Sequence, residues 1–264
     1  PPRVGKKQRY GILGRGDFGG VGKGKKRRSC TNFAMMLIEI AQEKIEFFRK
    51  NLLGWYRKNG RKFPWRKKGL SHYEYVIAEV LLQRTKAETV SKFYLAFMKN
   101  FPNWEALNNA NIKDLEQFLQ PVGLYRQRSK RLMSLAAEMV KRNGVLPEDR
   151  AELESIPFMG QYISNAVELI VFGRPQPLID VNMARVLERF FRPRKKVDIR
   201  YDPYLQRLAL MTVNGEKSKE INWAILDFAA LVCKVKVPDC NSCPVSSKCT
   251  YFSNAKSHQS SLHD

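Results

Sequence analysis

Four cysteines near the C-terminus form the pattern with the clearest chemistry in the chain. Of its five cysteines, four follow the spacing C-x6-C-x2-C-x5-C, at Cys233, Cys240, Cys243 and Cys249. Thiols this close together typically bind a shared metal ion or an iron–sulfur cluster. A disulfide framework fits poorly, because such frameworks belong to small cysteine-rich domains. The pattern therefore predicts a metal or cluster site, and the spacing alone leaves zinc and iron–sulfur both open.

The chain carries a large excess of positive charge. Its 264 residues include 47 Lys and Arg against 25 Asp and Glu, a net charge of +22. Nucleic acid, an anionic membrane surface or solubility alone could each account for this balance. No apolar run reaches the roughly 18 residues of a membrane span, and no strongly amphipathic basic helix is evident, so nucleic acid is favoured over a membrane. Without a secretory signal, the expected location is the cytoplasm, near the nucleoid, or the nucleus.

One carboxylate has a sequence context that suits catalysis. Asp180 directly precedes a segment in which Met183, Val186, Leu187 and Phe190 recur at helical spacing, so it is predicted to cap that helix. The helix dipole stabilises negative charge at this end. A catalytic carboxylate that must stay ionised benefits from the same placement, so capping and catalysis are compatible roles.

Upstream of this carboxylate, residues 153–173 predict two helices joined by a tight turn. The first helix ends near Ile156, Gly160 lies in the turn and the second helix begins near Tyr162. Such a hairpin can present backbone N–H groups and a helix N-terminus to a phosphate. An ordinary corner between two helices has the same pattern, and these residues alone leave both open.

The elements that position these residues are predicted to be helical. From about Asn32 onward, apolar residues recur every three or four positions and prolines separate short segments. We predict an all-α fold with roughly nine to eleven helices. Residues 1–31 are rich in glycine and basic residues and cannot bury a core, so they are expected to form a disordered tail.

Several segments between about Leu37 and Tyr251 occur in a characteristic order. They are Arg61–Arg66 (RKFPWR), Glu79–Thr85 (EVLLQRT), Gly123–Arg128 (GLYRQR), the hairpin, Leu178–Val186 (LIDVNMARV) and the four cysteines. In this order they resemble the helix–hairpin–helix DNA glycosylases of the endonuclease III superfamily. The first two segments are similar to those of its mismatch-specific branch.

The resemblance implies a fold, a cofactor and a partner. Two helical domains would enclose a DNA-binding cleft: a six-helix barrel over residues 67–174 that carries the hairpin, and a second domain that joins residues 32–66 to 175–264. The four cysteines would hold a [4Fe-4S] cluster in the second domain. The partner would be double-stranded DNA containing a mismatch or a damaged base, and the protein is expected to be a monomer.

The resemblance also implies the chemistry, which is cleavage of the bond between a flipped base and its sugar. Asp180 would stabilise the positive charge that develops on the sugar, position a water or bond transiently to C1′. Glu79 would protonate the leaving base or orient water. Tyr162 stands where bifunctional members have lysine and adenine enzymes typically have serine, and in this it resembles the thymine mismatch enzymes. Because a phenol has no amine, we predict a monofunctional enzyme with little or no lyase activity.

The predicted substrate is thymine or uracil opposite guanine. The alternative is adenine opposite guanine or 8-oxoguanine, which Glu79 supports, and a third possibility is a modified or damaged pyrimidine. A non-catalytic DNA-binding module would not need both Asp180 and Glu79. The chain departs from the family's Leu-Pro-Gly-Val-Gly hairpin at Phe158, which replaces the first glycine and therefore bears on the turn geometry.

The predicted DNA contacts come from several parts of the chain. Gln83 and Arg84 would fill the gap left by the flipped base or contact its former partner, and the alternative for Arg84 is a plain phosphate contact. The other predicted contacts are Gly160 and Gln161 at the hairpin, Arg126, Arg185, and Lys234 and Lys236 in the cysteine loop.

Overall fold

Every regular element in the described residues is a helix. The computed structural model describes the backbone of residues 24–260 and the side chains of residues 42–255. That part of the chain contains twelve α-helices, four short 3₁₀ turns and no strand. In chain order the helices are α1 (Gly24–Asn59), α2 (His72–Leu82), α3 (Ala87–Asn100), α4 (Trp104–Asn108), α5 (Ile112–Leu119), α6 (Tyr125–Lys141), α7 (Arg150–Ser155), α8 (Gln161–Ile170), α9 (Val181–Phe190), α10 (Pro203–Val213), α11 (Ser218–Leu231) and α12 (Thr250–Ser260).

The all-α prediction is confirmed, but the predicted number of helices is too low. The described residues hold twelve α-helices rather than roughly nine to eleven. Two of them, α4 and α7, have five and six residues. A helix of fewer than two turns is too short to show a periodic apolar pattern, which is why sequence periodicity misses such elements.

The chain divides into two compact units, residues 1–42 and 43–264. Helix α1 begins at Gly24, whereas the disordered tail was expected to extend to residue 31. Lysine and arginine are good helix formers, so a basic segment can be helical without burying a core. Residues 1–23 lie outside the described residues. Within the described part of the chain, no helix combines the length and the apolar character needed to cross a membrane.

Two hydrophobic clusters form the core of the second unit. The first contains buried residues between Phe63 and Val167, and the second combines Ile45, Phe48 and Leu52 of α1 with residues 166–249. Tyr162 packs against both clusters, so the start of α8 lies at their junction. The predicted domain boundaries at residues 66–67 and 174–175 stay a prediction.

Local capping defines where the helices around this junction begin. At the start of α2, the Ser71 hydroxyl accepts from the backbone N–H of Glu74, and the Glu74 carboxylate accepts from the backbone N–H of Ser71. This reciprocal capping satisfies two otherwise unpaired donors. Helix α9 is capped by Asp180, as its sequence position predicts. The starts of these two helices therefore follow from short-range hydrogen bonds.

Candidate active site

A cleft of about 890 Å³ opens at the junction, and residues from both hydrophobic clusters line it. Its walls come from residues 61–66, the end of α2, the α6 region, the hairpin and the start of α9. Of the residues predicted to bind DNA or act in catalysis, those that line the cleft are Gln83, Arg84, Gln161, Tyr162 and Asp180. The fold thus brings three separate segments to one concave surface. A cleft of this volume has the size of a small-ligand pocket and can accept a nucleobase with its sugar.

The carboxylate of Asp180 is held by three hydrogen bonds at the start of α9. Its Oδ1 accepts from the backbone N–H groups of Asn182 at 2.9 Å and Met183 at 2.8 Å, and its Oδ2 accepts from Asn182 Nδ2 at 2.6 Å. An ionised carboxylate offers about four acceptor positions, so three of them are taken by the protein. One acceptor position on Oδ2 remains for a group in the cleft. The carboxylate is therefore oriented and still available to substrate.

A chain of hydrogen bonds connects this carboxylate to the cysteine loop. Arg185 donates to Asn182 Oδ1 at 3.1 Å, to the carbonyl of Cys233 at 3.0 Å and to the carbonyl of Ala229 at 3.0 Å. Because these bonds occupy the guanidinium, Arg185 acts within the protein as a brace between α9 and the loop. Its role as a DNA contact stays a prediction, and this geometry does not favour it.

Glu79 lies behind the cleft wall rather than in it. Its side chain is buried and Oε2 has no hydrogen-bond partner among the described residues. Burial raises the pKa of Glu79 to about 7, and the Asp180 charge acts in the same direction, whereas the Tyr162 hydroxyl and the Arg66 guanidinium oppose the rise. A carboxyl with a pKa near 7 can carry and release a proton at neutral pH, as a general acid must.

Tyr162 lies close to both carboxylates. Burial raises the pKa of its hydroxyl well above the ordinary value, and the charges of Glu79 and Asp180 act in the same direction. The phenol is therefore neutral at physiological pH and is a hydrogen-bond donor within reach of Glu79. It lines the cleft, so it can also contact a bound nucleotide.

The charge of Arg66 also acts on Glu79 and Tyr162, although the sequence did not identify Arg66 as a site residue. It donates to both carboxylate oxygens of Asp227, at 2.8 and 3.1 Å, and Arg61 donates to the same carboxylate through its backbone N–H and Nε, both at 2.8 Å. The Asp227 side chain is completely buried. This ion-pair group ties residues 61–66 to α11 and positions the Arg66 charge beside Glu79. The sequence could not predict this ion-pair group, because Asp227 lies in a helix with no distinctive motif and far along the chain from Arg61 and Arg66.

Arg128 organises the loop that carries Gln83 and Arg84. Its buried guanidinium donates to the carbonyls of Val80, Leu81, Gln83 and Gly123 and to Thr85 Oγ1, at 2.9 to 3.3 Å. The first three carbonyls belong to the C-terminal end of α2, where unpaired carbonyls and the helix dipole favour a cation. Beyond this end, Arg84 is exposed and adopts a φ of 57°.

We expect Arg128→Met to lower the free energy of unfolding by about 2–4 kcal/mol, because it leaves several buried carbonyls without donors. Chemical denaturation followed by circular dichroism measures the change. The neighbouring, exposed Arg126 provides the matched control, and Arg126→Met should stay within about 0.5 kcal/mol of the wild type. Equal stability of the two variants would contradict the bracing role of Arg128.

Leu124 is a further residue of the cleft that sequence reasoning missed. It is 52% exposed, lines the cleft and adopts a left-handed φ of 50° directly before α6. Proteins that distort DNA often insert an apolar side chain between bases. An exposed leucine on a cleft wall has the chemistry of such a wedge, and only its exposure distinguishes it from a core leucine.

Four other predicted DNA contacts lie on the surface and do not line the cleft. Gly160 is exposed at the N-cap of α8, where no side chain caps the helix, and a Cβ atom there would meet nothing within 4 Å. The first N–H groups of α8 therefore remain available to an anion. Arg126, Lys234 and Lys236 are also exposed.

The four cysteines line a single small cavity between α9, the end of α11 and the loop that follows. In the described part of the chain, no three His, Cys, Asp or Glu side chains converge on a point that one metal ion could occupy. Four thiols around one cavity have the donor chemistry of a metal or iron–sulfur site.

Comparison with known proteins places the chain in a family. Residues 77–208, which include the second half of α2, the hairpin, Asp180 and α9, match the model of the HhH-GPD superfamily base excision DNA repair proteins. This chain belongs to the HhH-GPD superfamily. The resemblance inferred from the motifs is thereby confirmed.

Several individual relatives in this superfamily are DNA glycosylases. A thymine/uracil-DNA glycosylase of Pyrobaculum aerophilum is 35% identical over 78% of this chain and 91% of its own length. An adenine DNA glycosylase of Rattus norvegicus is 32% identical over 78% of this chain but only 42% of its own length. The solved structure of a thermostable thymine-DNA glycosylase superposes with a TM-score of 0.73 and 29% identity, over 80% of this chain and 98% of that one.

The hairpin of this HhH-GPD protein retains a tight turn despite the missing glycine. Helix α7 ends at Ser155 and α8 begins at Gln161, and between them Phe158 adopts a φ of 76°. The phenylalanine thus takes the left-handed conformation that a glycine adopts without strain. The substitution changes the side chain that the turn presents rather than removing the positive φ.

Proposed function

We propose that this protein is a monofunctional DNA glycosylase that hydrolyses the bond between the sugar and a thymine or uracil paired with guanine. The observation that carries the proposal is that Asp180 and Tyr162 line one cleft with Glu79 buried close to both, and that position 162 holds no lysine. The thymine/uracil-DNA glycosylase relative and the thymine-DNA glycosylase structure support the choice of base.

The mechanism follows from the charges of the three side chains. A base must leave the duplex to reach the cleft, and Arg84 and Leu124 on its wall would stabilise the distorted duplex. As the base–sugar bond breaks, positive charge develops on the sugar, and the free acceptor position of Asp180 faces it. Glu79, with its pKa raised to about 7, supplies a proton to the leaving base directly or through Tyr162. Water then completes the hydrolysis.

In this proposal the enzyme lacks lyase activity because position 162 holds a tyrosine. Strand cleavage by bifunctional enzymes proceeds through an imine between an amine and C1′. The Tyr162 hydroxyl cannot form an imine, and its raised pKa keeps it neutral. We therefore expect product strands that break only after treatment with alkali.

A panel of duplexes tests base choice and lyase activity together. Duplexes with T·G, U·G, A·G and A·8-oxoguanine are incubated with the enzyme and analysed with and without alkali, and parallel samples receive borohydride. We expect release from T·G and U·G, no strand break before alkali and no trapped protein–DNA complex. Tyr162→Lys supplies an amine at this position, so borohydride should then trap a protein–DNA complex. Efficient strand breakage by the wild type before alkali would contradict the monofunctional assignment.

Adenine is the second candidate base. The pKa of Glu79 near 7 suits protonation of a leaving purine, and adenine DNA glycosylases are among the relatives. Faster release from A·G or A·8-oxoguanine than from T·G in the same panel would establish this alternative.

We further propose that Cys233, Cys240, Cys243 and Cys249 hold a [4Fe-4S] cluster. The cluster would stabilise the loop around it, and it stands apart from Asp180, with Arg185 and Asn182 between them. Arg189 also donates to the loop carbonyls of Lys234 and Val235. Metal analysis should find iron and inorganic sulfide at about four of each per protein, as expected of a four-iron cluster. Stoichiometric zinc without iron would overturn the assignment.

The same proposal covers the partner and the domain organisation. Double-stranded DNA would lie across the cleft, contacted by Gln83, Arg84 and Gln161 on its walls and by the exposed Gly160 of the hairpin. The other proposed contacts are Arg126, Lys234 and Lys236. A barrel domain over residues 67–174 and a cluster domain over 32–66 and 175–264 would form the two sides, and we propose that the protein acts as a monomer.

A further inference from the structure

The hairpin retains a strained residue at a position where glycine would be easier. Phe158 adopts a φ of 76°, which costs a bulky side chain about 1–2 kcal/mol. Four non-glycine residues in the described part of the chain have positive φ, and three of them, Arg84, Leu124 and Phe158, line the cleft. Strained residues collect where the surrounding structure needs their side chains. The side chain of Phe158 therefore merits a specific role.

That side chain supports an arginine from another helix. The guanidinium carbon of Arg131, in α6, lies 4.7 Å from the centroid of the Phe158 ring. This is the geometry of a cation–π contact, which holds a cation over a ring face. Both residues line the cleft, and Arg131 is exposed while Phe158 is partly buried. The ring thus presents a guanidinium to the cleft beside the hairpin turn.

The charge of Arg131 has no carboxylate partner among the described residues. It instead lies close enough to Arg128 to oppose that residue's charge and so to lower the pKa of Arg128, an effect smaller than that of burial. Arg128 is already committed to the carbonyls at the end of α2. The positive charges of Arg128 and Arg131 repel each other. An anion bound at Arg131 would reduce this repulsion.

We propose that Phe158 is a positioning residue, which holds the Arg131 guanidinium against a phosphate of the bound DNA strand. The exposed turn at Gly160 and the uncapped start of α8 offer backbone N–H groups beside it. A guanidinium is well suited to phosphate because it can donate two parallel hydrogen bonds. This inference rests on the proposed function only in placing DNA at the cleft.

The proposal is tested by the dependence of DNA binding on salt, because Phe158→Gly should alter this dependence without removing a charge. Binding to an undamaged duplex is measured from low to moderate salt for the wild type, Arg131→Met, Phe158→Gly and the double variant. Loss of one phosphate contact lowers the slope of log K against log salt by about 0.9. We expect Arg131→Met to show this loss and to bind about tenfold more weakly at low salt.

The informative result is that of Phe158→Gly. Although it removes no charge, it should reproduce most of the slope change of Arg131→Met, and the double variant should be no weaker than Arg131→Met alone. Its melting temperature should equal or exceed that of the wild type, because glycine relieves the strained φ. If Phe158→Gly fails to fold, Phe158→Asn takes its place, since asparagine also tolerates positive φ.

Two controls separate positioning from a general structural effect. Phe158→Tyr keeps the ring and should keep the wild-type slope. Arg174 also stacks on an aromatic ring, that of Phe172 at 5.2 Å, but it is paired with Glu148 and does not line the cleft, so Arg174→Met should leave the slope unchanged. A wild-type slope and affinity for Phe158→Gly would overturn the positioning role, and a wild-type slope for Arg131→Met would overturn the phosphate contact.

The outcome is independent of the glycosylase proposal, because binding to an undamaged duplex requires no base release. A wild-type protein that releases no base from any mispaired duplex would contradict the proposed function and leave the salt result standing. Conversely, unchanged slopes together with normal base release would overturn only the role of Phe158 and Arg131.

Discussion

Replacing Asp180 with asparagine is expected to slow base release by about 10³-fold, because the carboxylate stabilises positive charge on the sugar and an amide does not. Asparagine caps helices as well as aspartate does, so α9 should still begin at the same residue. DNA binding should stay within a few-fold of the wild type. Single-turnover release of thymine or uracil from a mispaired duplex, together with a binding titration, measures both effects.

A second capping aspartate supplies the matched control. Asp149 caps α7, and its carboxylate accepts from the backbone N–H of Glu152 at 2.8 Å. It does not line the cleft. Asp149→Asn should therefore leave the rate of base release unchanged. If Asp180→Asn were as active as Asp149→Asn, the catalytic role of Asp180 would be wrong and only its capping role would remain.

Replacing Glu79 with glutamine is expected to slow base release by about 10²- to 10⁴-fold and to remove a limb from the pH profile. The pKa of Glu79 is raised to about 7, so the carboxyl holds its proton below pH 7 and loses it above. As a general acid it is active when protonated, and the wild-type rate should therefore fall as pH rises through 7. In Glu79→Gln the residual rate should show no such fall. A wild-type rate that rises through pH 7 would instead indicate a base.

The same pKa shift has a consequence for stability. Because the folded-state pKa of about 7 lies above the ordinary value of 4.5, the native state binds the proton more tightly than the unfolded chain. Stability contributed by this proton is complete below pH 4.5 and is lost as pH rises to about 7. The groups that face Glu79 are Tyr162, Arg66 and Asp180. Tyr162 and Arg66 lower its pKa and so limit the loss of stability. We expect Glu79→Gln to be more stable than the wild type above pH 7, and thermal melts across pH measure this.

Some of the site could be predicted because it depends on short segments. The apolar period after Asp180 predicted its capping position, and hydrogen bonds over two or three residues produce that cap. The hairpin, too, is recognisable from Gly160 and the helical patterns on either side. Each of these features depends on neighbours within one turn of helix, which the linear order of residues already contains.

Other parts of the site depend on partners far apart in the chain. Arg185 has the sequence context of a DNA contact, but 44 to 48 positions separate it from the carbonyls of Ala229 and Cys233 that it binds. The carbonyl partners of Arg128 across the cleft wall are similarly remote. No local pattern reveals such bonds, since backbone carbonyls are present at every residue.

By itself, the sequence determined the all-helical class, the capped position of Asp180, the cysteine spacing and the family. Only the tertiary structure decided that Glu79 is buried with a pKa near 7 and that Phe158 is strained beneath Arg131. The physical reason is that helix periodicity and capping are local. Desolvation and the pairing of charges are instead set by which distant surfaces pack together.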